Sequence, residues 1–355
     1  MFFYFYEVLC KKEAVGYRYF LFLSLCLLVL LSALRAYNVG TDTGSYLFIW
    51  RNGPDELSEL FLKNNFFSEP AYALLSFFTK KVSYTFFSQS QIFHLFSISF
   101  LVCLFYYSTI CKYANYKLFS FVFFFLLGFY TFHFNGARQA IAIALFLYSI
   151  KYVLNGNLLK YLAVVLFGFL VHKTMLICLP LYFIFRKELN AKQLILVVVC
   201  AVVVALSVTS LVDFASQYDQ RYQSYAKSDF EGGGVVAVLF NTSLLMWLWV
   251  SKRLNTINDK LYDISLLSML IAVCIGWVSI ILSLNPSGIL RLSVYFTQFS
   301  IFSLPMSVLY FKNASTRSFV LLSVLIVAVL YFYLTTVNFS GLYPYTVDRS
   351  LSMLF

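Results

Sequence analysis

Apolar runs long enough to cross a bilayer alternate along the chain with short polar connectors, most of which carry lysine. A crossing helix needs roughly 20 predominantly apolar residues. The pattern predicts eleven spans, two of them short, at about 18–36, 90–111, 117–134, 137–154, 158–172, 173–186, 193–212, 235–251, 262–284, 289–311 and 318–336. Two connectors are long. The first, 37–89, holds an amphipathic stretch from Glu69 to Phe78 that is expected to lie flat on the membrane surface; the second, 213–234, ends in Gly232-Gly233-Gly234. No repeat of fixed period is visible, so the chain reads as one transmembrane domain, 1–355, of all-α polytopic type.

Composition agrees with this reading. The chain is 61% hydrophobic and only 12% charged, against roughly 25% charged in soluble domains. A net charge of +11 would suggest nucleic acid in a soluble protein. Here it follows from topology. With the N-terminus in the cytoplasm, fifteen Lys and Arg fall on the inner side and eleven on the outer side, as the positive-inside rule requires. The C-terminus is then outside. Lysine dominates inside, eleven to four, whereas arginine leads outside, six to five. The planar guanidinium suits bidentate anions, so the outer arginines point to phosphate or carboxylate.

Spans 2, 4, 6, 8 and 10 enter from outside, so their N-termini, with free N–H groups and partial positive charge, face outward. Arg138 and Gln139 open span 4, and Lys173 opens span 6. The triple glycine Gly232, Gly233 and Gly234 leads into span 8, and Arg291 opens span 10. Together these ends would make an anion site. His172 and Lys173 separate two apolar arms of about a dozen residues, each roughly 18 Å of helix, so His172 is expected in a recess below the surface. An ionisable residue so placed is a functional candidate. Asp42 follows Arg35 closely; the two suit an ion pair capping span 1 as well as they suit a site in which Asp42 orients a hydroxyl. His133 is expected at the interface and His94 in packing.

Other chemistry finds little support. Three scattered histidines and no acidic cluster predict no metal site, and no cofactor motif is present. The seven cysteines lie outside long polar loops with no C-x-x-C spacing, so no disulfide frame is expected.

Several pieces in order, namely Leu34-Arg35, Gly40-Thr41-Asp42 with Tyr46, Glu69-Pro70-Ala71-Tyr72, Arg138-Gln139 with Ala142, His172-Lys173, Gly232-Gly233-Gly234, and Arg291 with Tyr295-Phe296, resemble the EpsG/Wzy-type polysaccharide polymerases over residues 18–315. The resemblance implies a GT-C-like membrane glycosyltransferase at the outer face of a bacterial inner membrane. Its donor and acceptor would be oligosaccharides linked to undecaprenyl diphosphate, joined by inverting transfer, with no cofactor. A chain-length regulator protein is an admissible partner and nucleic acid is not. It also assigns the diphosphates to Arg138 and Arg291, then Arg35, with Gln139, Lys173 and the triple glycine nearby. His172 would be the base or would orient the acceptor, with Asp42 as the competing candidate. A lipid-linked glycan ligase shares these features. A flippase fits less well, because the strong charges sit at span ends.

Overall fold

The computed structural model describes residues 17–62, 68–206, 234–282 and 289–348. Among them the regular structure is helical, with one isolated bridge between Arg35 and Val347. Among the described residues five helices are long and apolar enough to cross a bilayer, and six if a pair bent by 51° counts as one span. In hydrocarbon every backbone N–H must be satisfied within its own segment, and a helix does this. The protein is thus a multi-pass, all-helical membrane protein. The chain divides into two compact units, Met1–Tyr182 with Leu322–Phe355, and Phe183–Leu321.

The first unit contains α1 (Tyr17–Ala33), α2 (Thr43–Arg51), α3 (Leu57–Leu62), α4 (Pro70–Phe86), α5 (Ile92–Tyr113), α6 (Lys117–Leu126), α7 (Phe132–Asn135), α8 (Ala137–Leu154), α9 (Leu158–Val171) and a 3-10 helix, Lys173–Cys178. α8 is its centre and packs against α5, α7, α9 and the 3-10 helix. Its apolar window is 72% buried, against 11% for α16 (Ala314–Asn338, the last helix), which leaves most of its surface for lipid. Alanines 137, 140, 142 and 144 allow the close approach.

The first long connector is largely helical and packed. α4 runs on to Phe86 and buries Tyr72, Phe77, Thr79, Lys80 and Ser83. Trp50 on α2 donates from Nε1 to Thr79 Oγ1 at 3.2 Å and stacks on His94, ring centroids 5.1 Å apart. His94 Nδ1 lies 2.7 Å from the same hydroxyl. α2, α4 and α5 are therefore fastened through one threonine. The amphipathic stretch expected on the surface forms the start of α4, which packs on one face against α2, α3, α5 and α9.

Three predicted spans are interrupted. The run at 117–134 stops at Leu126, turns through Gly128 at φ +80°, and resumes as α7. The segment at 173–186 becomes the 3-10 helix and then α10 (Leu181–Arg186). Pro180, which has no N–H to donate, separates them. The run at 289–311 is the bent pair α14 (Ile289–Thr297) and α15 (Ser300–Leu309). At that break the carbonyl of Phe299 accepts from Ser265 Oγ, so a polar neighbour stabilises what the apolar pattern does not show.

In the second unit α13 (Lys260–Ile281) packs against α11 (Ala191–Leu206), α12 (Val235–Asn255), α14 and α15. Asp259 caps α13, its Oδ1 accepting from Leu261 N at 2.8 Å and Tyr262 N at 3.0 Å. Lys252 pairs with Asp263 across α12 and α13. The described cysteines are free thiols.

Candidate active site

Three segments of the first unit converge on one carboxylate. Glu69 precedes Pro70, which occupies the first turn of α4. A residue before proline is held extended, and proline suits the helix start. Glu69 accordingly has φ −143° and ψ 67°, and its side chain makes no bond to its own helix end. It reaches across instead. Oε2 accepts from Arg138 NH1, and Oε1 lies 2.5 Å from His172 Nδ1. The carboxylate side chain is 5% exposed, Arg138 24% and His172 20%. The partners are thus more open to solvent than the group that holds them.

Arg138 is the second residue of α8, behind Gly136 at the cap position. Its guanidinium carbon lies 5.4 Å from the ring centre of Tyr46 and 5.8 Å from that of Tyr72. The two rings meet edge to face at 6.4 Å. Tyr46 also hydrogen-bonds Arg138. Burial pushes the Tyr72 phenol well up, so it stays a neutral hydroxyl. Arg138 Nε is buried without a partner among the described residues. His172 stands where α9 ends: its N–H donates to Gly168 O at 2.8 Å and its carbonyl accepts from Met175 N at 3.1 Å. Its extended backbone, φ −155° and ψ 123°, turns the chain into the 3-10 helix.

Arg35 has a different setting. It is 2% exposed. Its NH1 donates to Ser32 O at 2.8 Å and to Ser32 Oγ at 2.5 Å, its Nε to Thr43 Oγ1 at 3.4 Å, and its guanidinium lies 4.2 Å from the ring centre of Phe134. Around it the loop after α1 is closed by the C-terminal segment. Ala36 N donates to Thr346 O, Asp348 N to Leu34 O, and Gly40 N to Gly341 O, all within 3 Å. Asn135 accepts from Thr41 N at 2.8 Å and donates to Ser340 O at 2.9 Å. Asp42 is the cap residue of α2, with Thr41 Oγ1 donating to it at 3.1 Å. His133, expected at the interface, is fully buried between Ser32 Oγ and Tyr130 O.

Of the residues singled out from sequence, the structure joins Arg138 and His172. Gln139 is buried beside Arg138, and Lys173 begins the 3-10 helix. Arg291 belongs to α14, in the second unit. Gly234 precedes α12 at φ +86°; Gly232 and Gly233 lie outside the described residues. Glu69 was missed as a site residue. A signal was present: from Pro70 to Lys187 the chain has no acidic residue. Any carboxylate that neutralises Arg138 must come from outside that stretch, and Glu69 borders it. Among the described residues no group of three or more His, Cys, Asp or Glu could hold a metal ion.

These features define a multi-pass helical membrane protein with an imidazole, a carboxylate and a guanidinium gathered at the mouth of α8. The chain belongs to the EpsG family, the family of Wzy-type polysaccharide polymerases, whose model matches residues 18–347. Comparison with curated proteins and with solved structures found no match.

Proposed function

We propose that this protein lengthens a polysaccharide by moving the growing chain from undecaprenyl diphosphate to a sugar hydroxyl on a new lipid-linked repeat unit, at the outer face of a bacterial inner membrane. The observation that carries the reading is the seating of Arg138 and His172 on the two oxygens of Glu69. The transfer has two chemical demands. The acceptor hydroxyl must lose a proton, and the leaving diphosphate must be stabilised as the bond from the anomeric carbon to its phosphate oxygen breaks. His172 meets the first demand as general base while the new glycosidic bond forms with inversion. Arg138 meets the second with charge-assisted donors at a helix N-terminus.

Family membership supports a polymerase, and an all-helical membrane architecture is the kind a GT-C-like catalyst uses; among the described residues five or six helices are long and apolar enough to cross, against the eleven spans read from sequence. Arg291 is assigned to a diphosphate by the resemblance alone. Arg35 serves in this reading as the buried anchor of the loop that carries Asp42, since its NH1 donates to Ser32 and its Nε to Thr43. Asp42 then contributes by orienting an acceptor sugar.

The test is reconstitution: purified full-length protein in detergent with a synthetic undecaprenyl-diphosphate repeat unit, products separated on a gel. A ladder of repeat lengths is expected. A substrate that binds but gives no ladder would turn the assignment toward a ligase, whose loss from cells leaves long lipid-linked chains. A strain lacking the present protein should show single-unit glycan.

A further inference from the structure

Among the described residues Glu69 holds Arg138 with one oxygen and His172 with the other, and the chemistry of those partners constrains the imidazole. Guanidinium only donates hydrogen bonds, and an ionised carboxylate only accepts them. The 2.5 Å contact between Glu69 Oε1 and His172 Nδ1 therefore requires the hydrogen on Nδ1. In the neutral ring Nε2 is then left with the lone pair. We propose that Glu69 is a positioning residue that sets the tautomer of His172, so that Nε2 is the atom that receives the proton of the acceptor hydroxyl. The tautomer follows from this contact and from the ionised carboxylate that Arg138 pairs with; its catalytic use rests on the polymerase reading.

A merely structural clamp would have no such consequence, and Glu69→Gln separates the two. Glutamine has nearly the same shape but one acceptor oxygen and one NH2 donor. Arg138 offers only donors, so the amide oxygen must face Arg138 and the NH2 must face His172 Nδ1. Nδ1 then has to accept, and the hydrogen moves to Nε2. The variant keeps both contacts and inverts the base.

The experiment uses full-length protein labelled with 15N-histidine, the His172 signals being those lost in His172→Ala. Wild type is expected to show a protonated Nδ1, and Glu69→Gln a protonated Nε2. Polymer formation in Glu69→Gln should fall at least about 100-fold, the lower range for a general base, with the melting temperature little changed. A His172→Ala change on top of Glu69→Gln should cost little more, because the two act as a unit. Wild type with hydrogen on Nε2, Glu69→Gln with hydrogen on Nδ1, or wild-type polymer from Glu69→Gln would each overturn the proposal. Should Glu69→Gln fail to fold, the wild-type spectrum still decides. If the tautomer inverts as expected but wild type makes no polymer, the positioning role stands and the polymerase reading falls.

Discussion

A single carboxylate decides how two distant residues behave. Arg138 at the start of a membrane helix would cost several kcal/mol unpaired, and Glu69 neutralises it while leaving a quarter of its side chain exposed. The Tyr46 and Tyr72 rings lie within cation–π distance of the planar guanidinium. Lysine has no such plane, and its one ammonium is a point charge that cannot reproduce the fork of donors. Arg138→Lys should therefore reach the membrane at near wild-type level yet extend chains at least about 100-fold more slowly, the loss typical of one stabilising donor. Immunoblot and glycan gel from complemented cells check this, and a full ladder would count against a diphosphate role for Arg138.

At the scale of elements, the loop from Val39 to Thr43 is shaped by close contact. Gly40 has φ +96°, and a Cβ there would lie 2.8 Å from Phe134 O and 2.9 Å from both Asn135 Oδ1 and Thr43 Oγ1. Gly128 has φ +80°, but its added Cβ would meet only Thr131 Oγ1, at 3.7 Å. Both alanine variants force a side chain into the left-handed region, a cost of about 1 kcal/mol or more. Only Gly40→Ala adds a collision with backbone. It should destabilise the protein by about 2–3 kcal/mol, distinctly more than Gly128→Ala, as read by thermal unfolding in detergent. Equal melting temperatures would show that this loop yields and is not held rigidly by its contacts with Phe134 and Asn135. The same contacts explain why Asn135, one residue before the cap of α8, holds two loops at once: its amide accepts from Thr41 and donates to Ser340.

Across the whole molecule, segments assigned by charge to one side of the membrane meet one another. Residues 40–41, 69, 135, 138, 172 and 340–348, all read as outer, join in the first unit. In the second unit Lys260 donates to the carbonyls of Arg186 and Lys187, all read as inner. A tag after Phe355 should therefore be cleaved by protease added to intact spheroplasts, while a tag before Met1 should be protected. The reverse result would invert the orientation and place the Glu69 cluster in the cytoplasm. Chain extension should also persist in EDTA; loss restored by magnesium or manganese would require a cation that the reading from sequence does not include.

The sequence by itself settled where most helices lie. The run read as 137–154 is helix α8, Ala137–Leu154, and 158–172 is α9, Leu158–Val171. That is legible because the exclusion of water from hydrocarbon acts on each segment alone, and a helix answers it with bonds inside the segment. The sequence also drew attention to Arg138 and His172, through their position in otherwise apolar surroundings. It did not reveal the carboxylate between them. Glu69 lies 69 residues from Arg138 and 103 from His172, and it read as the start of a surface helix. Nor did it show the break near Gly128, where the chain turns at φ +80°, or the one near Phe299, where Ser265 on α13 donates to the freed carbonyl. Which polar groups meet depends on which helices are neighbours, and hydropathy carries no record of that. Tertiary packing alone decided that Arg35 is enclosed and that Arg138 and His172 share one acid.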